Sequence, residues 1–207
     1  MTNRLAAGLA GLACAAGAHA QTYDFQASLD GKPMGTHRFV VEGDALARTV
    51  ESEANFEVRF LGFKAYSYHH HASERWQGDC LRSLAATTDD DGRRTDVHAE
   101  RGEAATRVAV GGASRDEAAC VMSFAYWNPA LRTQARLLNP QTGRLESVRV
   151  ERLADATIPV GGKAVAASHY RIEGAESPIE VWYAADGAWI GLDSVVGGKH
   201  RLSYRLP

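Results

Sequence analysis

The sequence predicts an all-β protein: one domain whose mostly antiparallel sheet curls into a closed or half-open barrel of about ten or eleven strands. At most one short helical turn is expected, near Pro129. Three observations carry this. Period-two alternation runs unbroken from Leu46 to Phe60, with Val50, Ser52, Ala54, Phe56 and Val58 on one side and Glu51, Glu53, Asn55, Glu57 and Arg59 on the other. Turn chemistry separates the apolar runs at short intervals, as in Asp30-Gly31, Asp91-Gly92 and Gly197-Gly198. No stretch shows a 3.6-residue apolar period over ordinary helix length.

Taken in order, the chain starts with Arg4, a short apolar run and Ala18-His19-Ala20. This is the pattern of a secretory signal peptide cleaved after Ala20, and the run is too short to span a bilayer. Residues 21–207 are then the mature domain. Tyr23 to Leu29 alternates, a Pro/Gly cluster turns the chain, and Thr36 to Glu42 returns with His37, Phe39 and Val41 on one face. The long strand from Leu46 meets a second one at Leu61-Gly62-Phe63. Beyond that turn Tyr66, Tyr68, His70, Ala72, Glu74 and Trp76 share a face.

Leu81 to Thr88 follows Cys80, and Asp89 to Arg94 forms a solvated hairpin tip. Thr95 to Glu100 pairs with Ala105 to Val110, and Gly111 to Glu117 reads as a polar connection. Cys120 to Pro129, CVMSFAYWNP, breaks the alternation; Asn128-Pro129 opens a short helical piece at Pro129 to Thr133 that sets Phe124, Tyr126 and Trp127 against the sheet. A meander closes the chain: Ala135 to Asn139 with Arg144 to Leu153, then Val165 to Glu173, Ile179 to Ala184, Trp189 to Val195 and His200 to Leu206. Asp186-Gly187 reads as a two-residue hairpin turn.

Charge and cysteine count narrow the class. Without Arg4 the chain carries 22 basic and 25 acidic residues, a net charge near −3, with no basic stripe. That argues against a nucleic-acid partner and against electrostatic binding to a membrane surface. No transmembrane segment is expected in the mature chain. An outer-membrane barrel would also alternate, but the charged face on nearly every strand favours a periplasmic, soluble protein. The two remaining cysteines, Cys80 and Cys120, are expected to form one disulfide.

The eye-catching triplet His69-His70-His71 is split by alternation. His69 and His71 share the polar face with Ser67 and Ser73, and no third or fourth metal ligand accompanies them, so no metal site is assigned. His70 and Glu74 point the other way, among the aromatics. A histidine beside a carboxylate suits a general base or a satisfied polar pair in a barrel lumen. No nucleophile elbow, HExxH, P-loop or GxGxxG is present, so no catalytic residue and no cofactor is assigned.

The stretches YDFQASLDGKPMGTHRF, VRFLGFKAYSYHHHASERWQGDC and CVMSFAYWNP, behind a signal peptide, resemble a family of exported proteobacterial proteins, domain of unknown function 6134. The resemblance implies export and an all-β fold, and carries over no catalytic residue. The leading functional expectation is a periplasmic protein that binds or carries an apolar or lipid-like small molecule in a barrel cavity. Tyr66, Tyr68, His70, Glu74 and Trp76 would line that cavity, with Tyr126 and Trp127 near its mouth or floor. The alternatives are an envelope interaction or assembly factor with a protein partner, and an enzyme using His70 and Glu74.

Overall fold

The structure is a computed structural model that describes residues 20–60 and 63–207. The expected signal segment before Ala20 and the Leu61-Gly62 turn lie outside the described residues. The first half of the chain is a run of long hairpins: β1 (Gln21–Leu29), β2 (Lys32–Gly43), β3 (Ala47–Phe60), β4 (Phe63–Gln77), β5 (Cys80–Asp90), β6 (Arg93–Arg101), β7 (Ala105–Val110) and β8 (Ala113–Ala118). A 3₁₀ turn, Pro129–Thr133, precedes the short pair β9 (Arg136–Leu138) and β10 (Leu145–Ser147). The rest comprises β11 (Arg149–Arg152), β12 (Ala156–Val160), β13 (Lys163–Glu173), β14 (Ile179–Tyr183), β15 (Trp189–Val196) and β16 (His200–Arg205).

Fourteen of these strands form one antiparallel sheet in the order β11-β13-β14-β15-β16-β1-β2-β3-β4-β5-β6-β7-β8, with β12 beside β13. Among the described residues β8 does not pair with β11, so the barrel is open rather than closed. The β9–β10 hairpin is a separate two-stranded sheet. It continues through Val148 into β11, and on the other side Arg136 approaches Glu117 of β8 at 3.7 Å while Arg115 donates to the Gly143 carbonyl. The hairpin thus sits at the seam.

Local sequence explains the hairpins. Asp30-Gly31, Asp91-Gly92, Gly111-Gly112, Gly161-Gly162 and Gly197-Gly198 all hold positive φ at both positions, the two-residue turn whose twist matches paired strands. Alternation then sends every second side chain inward. Val50, Ser52, Ala54 and Phe56 of β3 are buried and pair across with Glu74, Ala72, His70 and Tyr68 of β4. Leu46 departs from this pattern: it lies before β3 and is 78% exposed.

The curled sheet would enclose a hole if nothing filled it. The segment from Cys120 to Val148 fills much of it, burying Val121, Met122, Leu131, Leu137, Leu138 and Val148. It is tied in by backbone hydrogen bonds, Leu81 N–H to Val121 O at 2.8 Å and Leu138 N–H to Met122 O at 2.7 Å. The Cys80–Cys120 disulfide, with Cα atoms 5.0 Å apart, anchors its start beside the end of β4. Asn128 caps the 3₁₀ turn, its side chain accepting from Ala130 N–H at 3.0 Å and donating to Asp79 at 3.1 Å.

Among the described residues sixteen strands replace the expected ten or eleven. Gly111 to Glu117, read as a polar connection, is a two-residue turn followed by β8; as an edge strand β8 needs no apolar face, so alternation was absent. Arg144 to Leu153 is two strands, because Val148 turns the chain from the hairpin into the main sheet. The Asp186-Gly187 turn is wider than two residues: Ala184 N–H bonds Ala188 O at 2.9 Å, and Asp186 accepts from Ala188 N–H at 3.0 Å.

Candidate functional site

A cavity of about 340 Å³ lies between the inner face of the sheet and the Cys120–Val148 segment. It opens at the end carrying the Gly197-Gly198 turn and the Glu176-Ser177 connection, with Asn139, Pro140 and Gln141 on its rim. Its existence follows from side-chain size. Three inward rows cross β2, β3 and β4 in register: His37–Ala54–His70, Phe39–Ser52–Ala72 and Val41–Val50–Glu74. Ser52 and Ala72 are small where Phe39, His70 and Glu74 around them are bulky, and the inner segment does not fill the space they leave.

The walls are apolar. Phe39 and Val50 stand on one side, Ile179, Leu192 and Leu202 on the other, and Phe124, Tyr126 and Trp127 form the roof. The floor is polar and buried: His37, Ser52, His70 and Glu74 from the sheet, with Ser123 from the inner segment, none more than 8% exposed.

Each floor group has a defined partner. His37 bridges the Ser52 hydroxyl, 2.8 Å from Nε2, and the Tyr204 hydroxyl, 3.3 Å from Nδ1. A neutral imidazole has one donor and one acceptor, so one hydroxyl donates to it and the other accepts. Burial, with the neighbouring His70 adding to it, holds His37 well below the ordinary histidine range. His70 shares a hydrogen bond with the Thr88 hydroxyl at 2.8 Å; burial, and secondarily His71, lower its pKa to about 4. The two rings face edge to face-plane across Ala54, 6.5 Å between centroids.

Glu74 accepts the Trp76 indole N–H at 2.9 Å. Burial pushes its pKa up to about 7, against the opposing pull of hydrogen bonds from Ser123 and Trp76. His70 and Glu74 therefore do not pair with one another. Ser52 with His37 has the spacing of a nucleophile and base. However, Ser52 lies mid-strand between β2 and β4, where neighbouring backbone N–H groups are engaged in the ladders and leave no pair free to hold an oxyanion.

Of the residues expected at the site, His70, Glu74, Tyr126 and Trp127 line the cavity. Tyr66, Tyr68 and Trp76 do not. Tyr66 donates to Asp90 at 2.8 Å near the strand's open end. Tyr68 stacks on Phe56, 5.4 Å between centroids, and Trp76 packs edge-on to Trp127 at 5.3 Å. The strand is longer than the cavity, so one shared face serves several neighbourhoods. His69 and His71 are exposed on the outside, with Asn55 and Glu51 for partners. The sequence reading missed His37, Ser52 and Ser123. Small residues at 52 and 72 on an otherwise bulky inward face were the signal that could have located the space.

Among the described residues no group of three or more His, Cys, Asp or Glu is placed to hold a metal, and no helix is long and apolar enough to cross a membrane.

No curated protein matches the chain. Among solved structures it is similar to a β-barrel-like protein of domain of unknown function DUF1849 from Brucella abortus. The TM-score is 0.63 and the identity 11%, over 92% of this chain and 95% of that one, a likeness of fold alone. The family model for the domain of unknown function DUF6134 matches residues 25–206, which takes in the β1–β2 hairpin, the β3–β4 pair with its cavity floor, and the inner segment alike; the chain belongs to that family.

Proposed function

We propose that the protein is exported, cleaved after Ala20 and resident in the periplasm, where it binds a small apolar or lipid-like molecule in the cavity. The carrying observation is the cavity itself: apolar walls, a few buried polar groups at one end, and an opening to solvent at the other. Its 340 Å³ sits at the low end of the roughly 300–1,000 Å³ of small-molecule sites, which suits a single short chain or ring system rather than a whole two-chain lipid. The disulfide supports export, because such bonds persist in oxidising compartments.

Ala72→Leu tests the reading, since the added isobutyl bulk enters the cavity from its floor. Native mass spectrometry of protein recovered from the periplasm should show a co-purifying small molecule on the wild type and none on the variant. Decanol should quench or shift the fluorescence of Trp127 in the wild type only. A wild type that carries nothing and ignores decanol would overturn the proposal.

A further inference from the structure

Among the described residues the cavity lining contains two glutamates, Glu74 on the floor and Glu176 at the mouth, and no lysine or arginine. Its imidazoles supply no positive charge at neutral pH, because burial keeps both His37 and His70 neutral. From this asymmetry we infer that the ligand is an amphiphile whose head is a cation or a hydrogen-bond donor, such as a primary amine, seated on Glu74 with its apolar body toward the mouth; carboxylate, phosphate and sulfate heads are disfavoured. The inference rests on the cavity being a ligand site and names the chemistry that site selects.

The surroundings of Glu74 leave it available for this role. On its own strand His70 and Trp76 flank it, and only Trp76 bonds it. Its cross-strand neighbours, Val50 on β3 and Leu84 on β5, carry no charge. Ser123 faces it from the inner segment. The nearby cation Arg48 is turned away, its guanidinium donating to the Gly78 carbonyl at 3.3 Å, 4.0 Å from Asp79 and over the Trp127 ring. The carboxylate therefore has hydrogen bonds but, among the described residues, no counter-ion. A buried carboxylate without one is costly, and a ligand ammonium would supply it. An anionic head in the same place would meet a like charge in a desolvated pocket.

Isothermal titration of the mature protein at pH 8 with decylamine, decanol and decanoate reads the preference directly. Decylamine should bind at least about tenfold more tightly than decanoate, with decanol between, and Glu74→Gln should reduce that ratio to near unity. Gln keeps an oxygen for the Trp76 N–H, so the variant should fold; the wild-type order of the three probes stands as evidence without it. Decanoate binding as well as or better than decylamine would overturn the inference while leaving the cavity a binding site. Failure of all three probes would overturn both.

Discussion

Glu74 and His70 stand four residues apart on one face of β4, both turned into the same cavity, and do not touch. Burial drives their protons in opposite senses, His70 down to about 4 and Glu74 up to about 7. For His70 the unfolded chain binds the extra proton, so its contribution to stability falls as pH drops from 6.5 towards 4. For Glu74 the folded chain binds the extra proton, so stability falls as pH rises from 4.5 towards 7.

The two slopes oppose each other over nearly the same window, and single variants should expose each. Glu74→Gln should raise stability at pH 8 by roughly 2–3 kcal/mol relative to the wild type, with no gain below pH 4.5. His70→Gln should instead make the fold more resistant to acid than the wild type, by a similar amount near pH 4 and with no gain at pH 8. Urea melts across pH 4 to 8 check both; parallel curves for wild type and variants would refute the burial account.

Reducing Cys80–Cys120, which are 40 residues apart, should lower stability by up to about 4 kcal/mol. The loss should appear first as exposure of the inner segment, because the bridge fixes its start to the sheet. Intact mass with and without reductant and alkylation establishes the bond. Protection from hydrogen exchange at Val121 to Leu138 establishes the order of events.

The Tyr68 hydroxyl is buried beside Thr88 yet makes no hydrogen bond of acceptable geometry. Tyr68→Phe removes an unsatisfied polar group and keeps the ring on Phe56, so stability should be unchanged or higher by about 1 kcal/mol. Ligand affinity should not move, because the side chain lies off the cavity wall. Tyr126→Ala, by contrast, opens the roof and should weaken binding measurably.

Gly143 closes the β9–β10 turn behind the cavity rim with φ +68°, and a Cβ there would strike Val110 and press on Val97. Gly143→Ala should cost about 2–3 kcal/mol. Gly111→Ala, also at positive φ but facing open space, should cost only about 1 kcal/mol. Equal effects on thermal melting would show that the turn does not pack on β6 and β7.

Much of the sheet was legible because alternation reports which face is wet. Ser52, Ala54 and Phe56 against Glu51, Glu53 and Glu57 place β3 without ambiguity, and the split of His69, His70 and His71 follows from the same rule. β8 and β10 were illegible or merged because edge and seam strands lack a consistent apolar face. The site was half legible. Glu74 and His70 could be placed on the inward face, but His37 joins them only through the register that sets it opposite Ala54, and register is a property of paired strands. Tyr66, Tyr68 and Trp76 shared that face and still lay outside the cavity, since alternation says inside or outside but not how far along.

The cavity's floor belongs to the sheet and its roof to a segment that pairs with that sheet only at its margins. On the proposed function, substitutions at Phe124 or Tyr126 should therefore change the length and girth of what fits without disturbing the strands that present Glu74 and His70, whereas Trp127, packed on the Trp76 ring that bonds Glu74, is coupled to the floor. On that same function, head-group choice and tail size would then be two separately adjustable settings, so that descendants of one scaffold could diverge in cargo while the hydrogen-bonded sheet stays as it is.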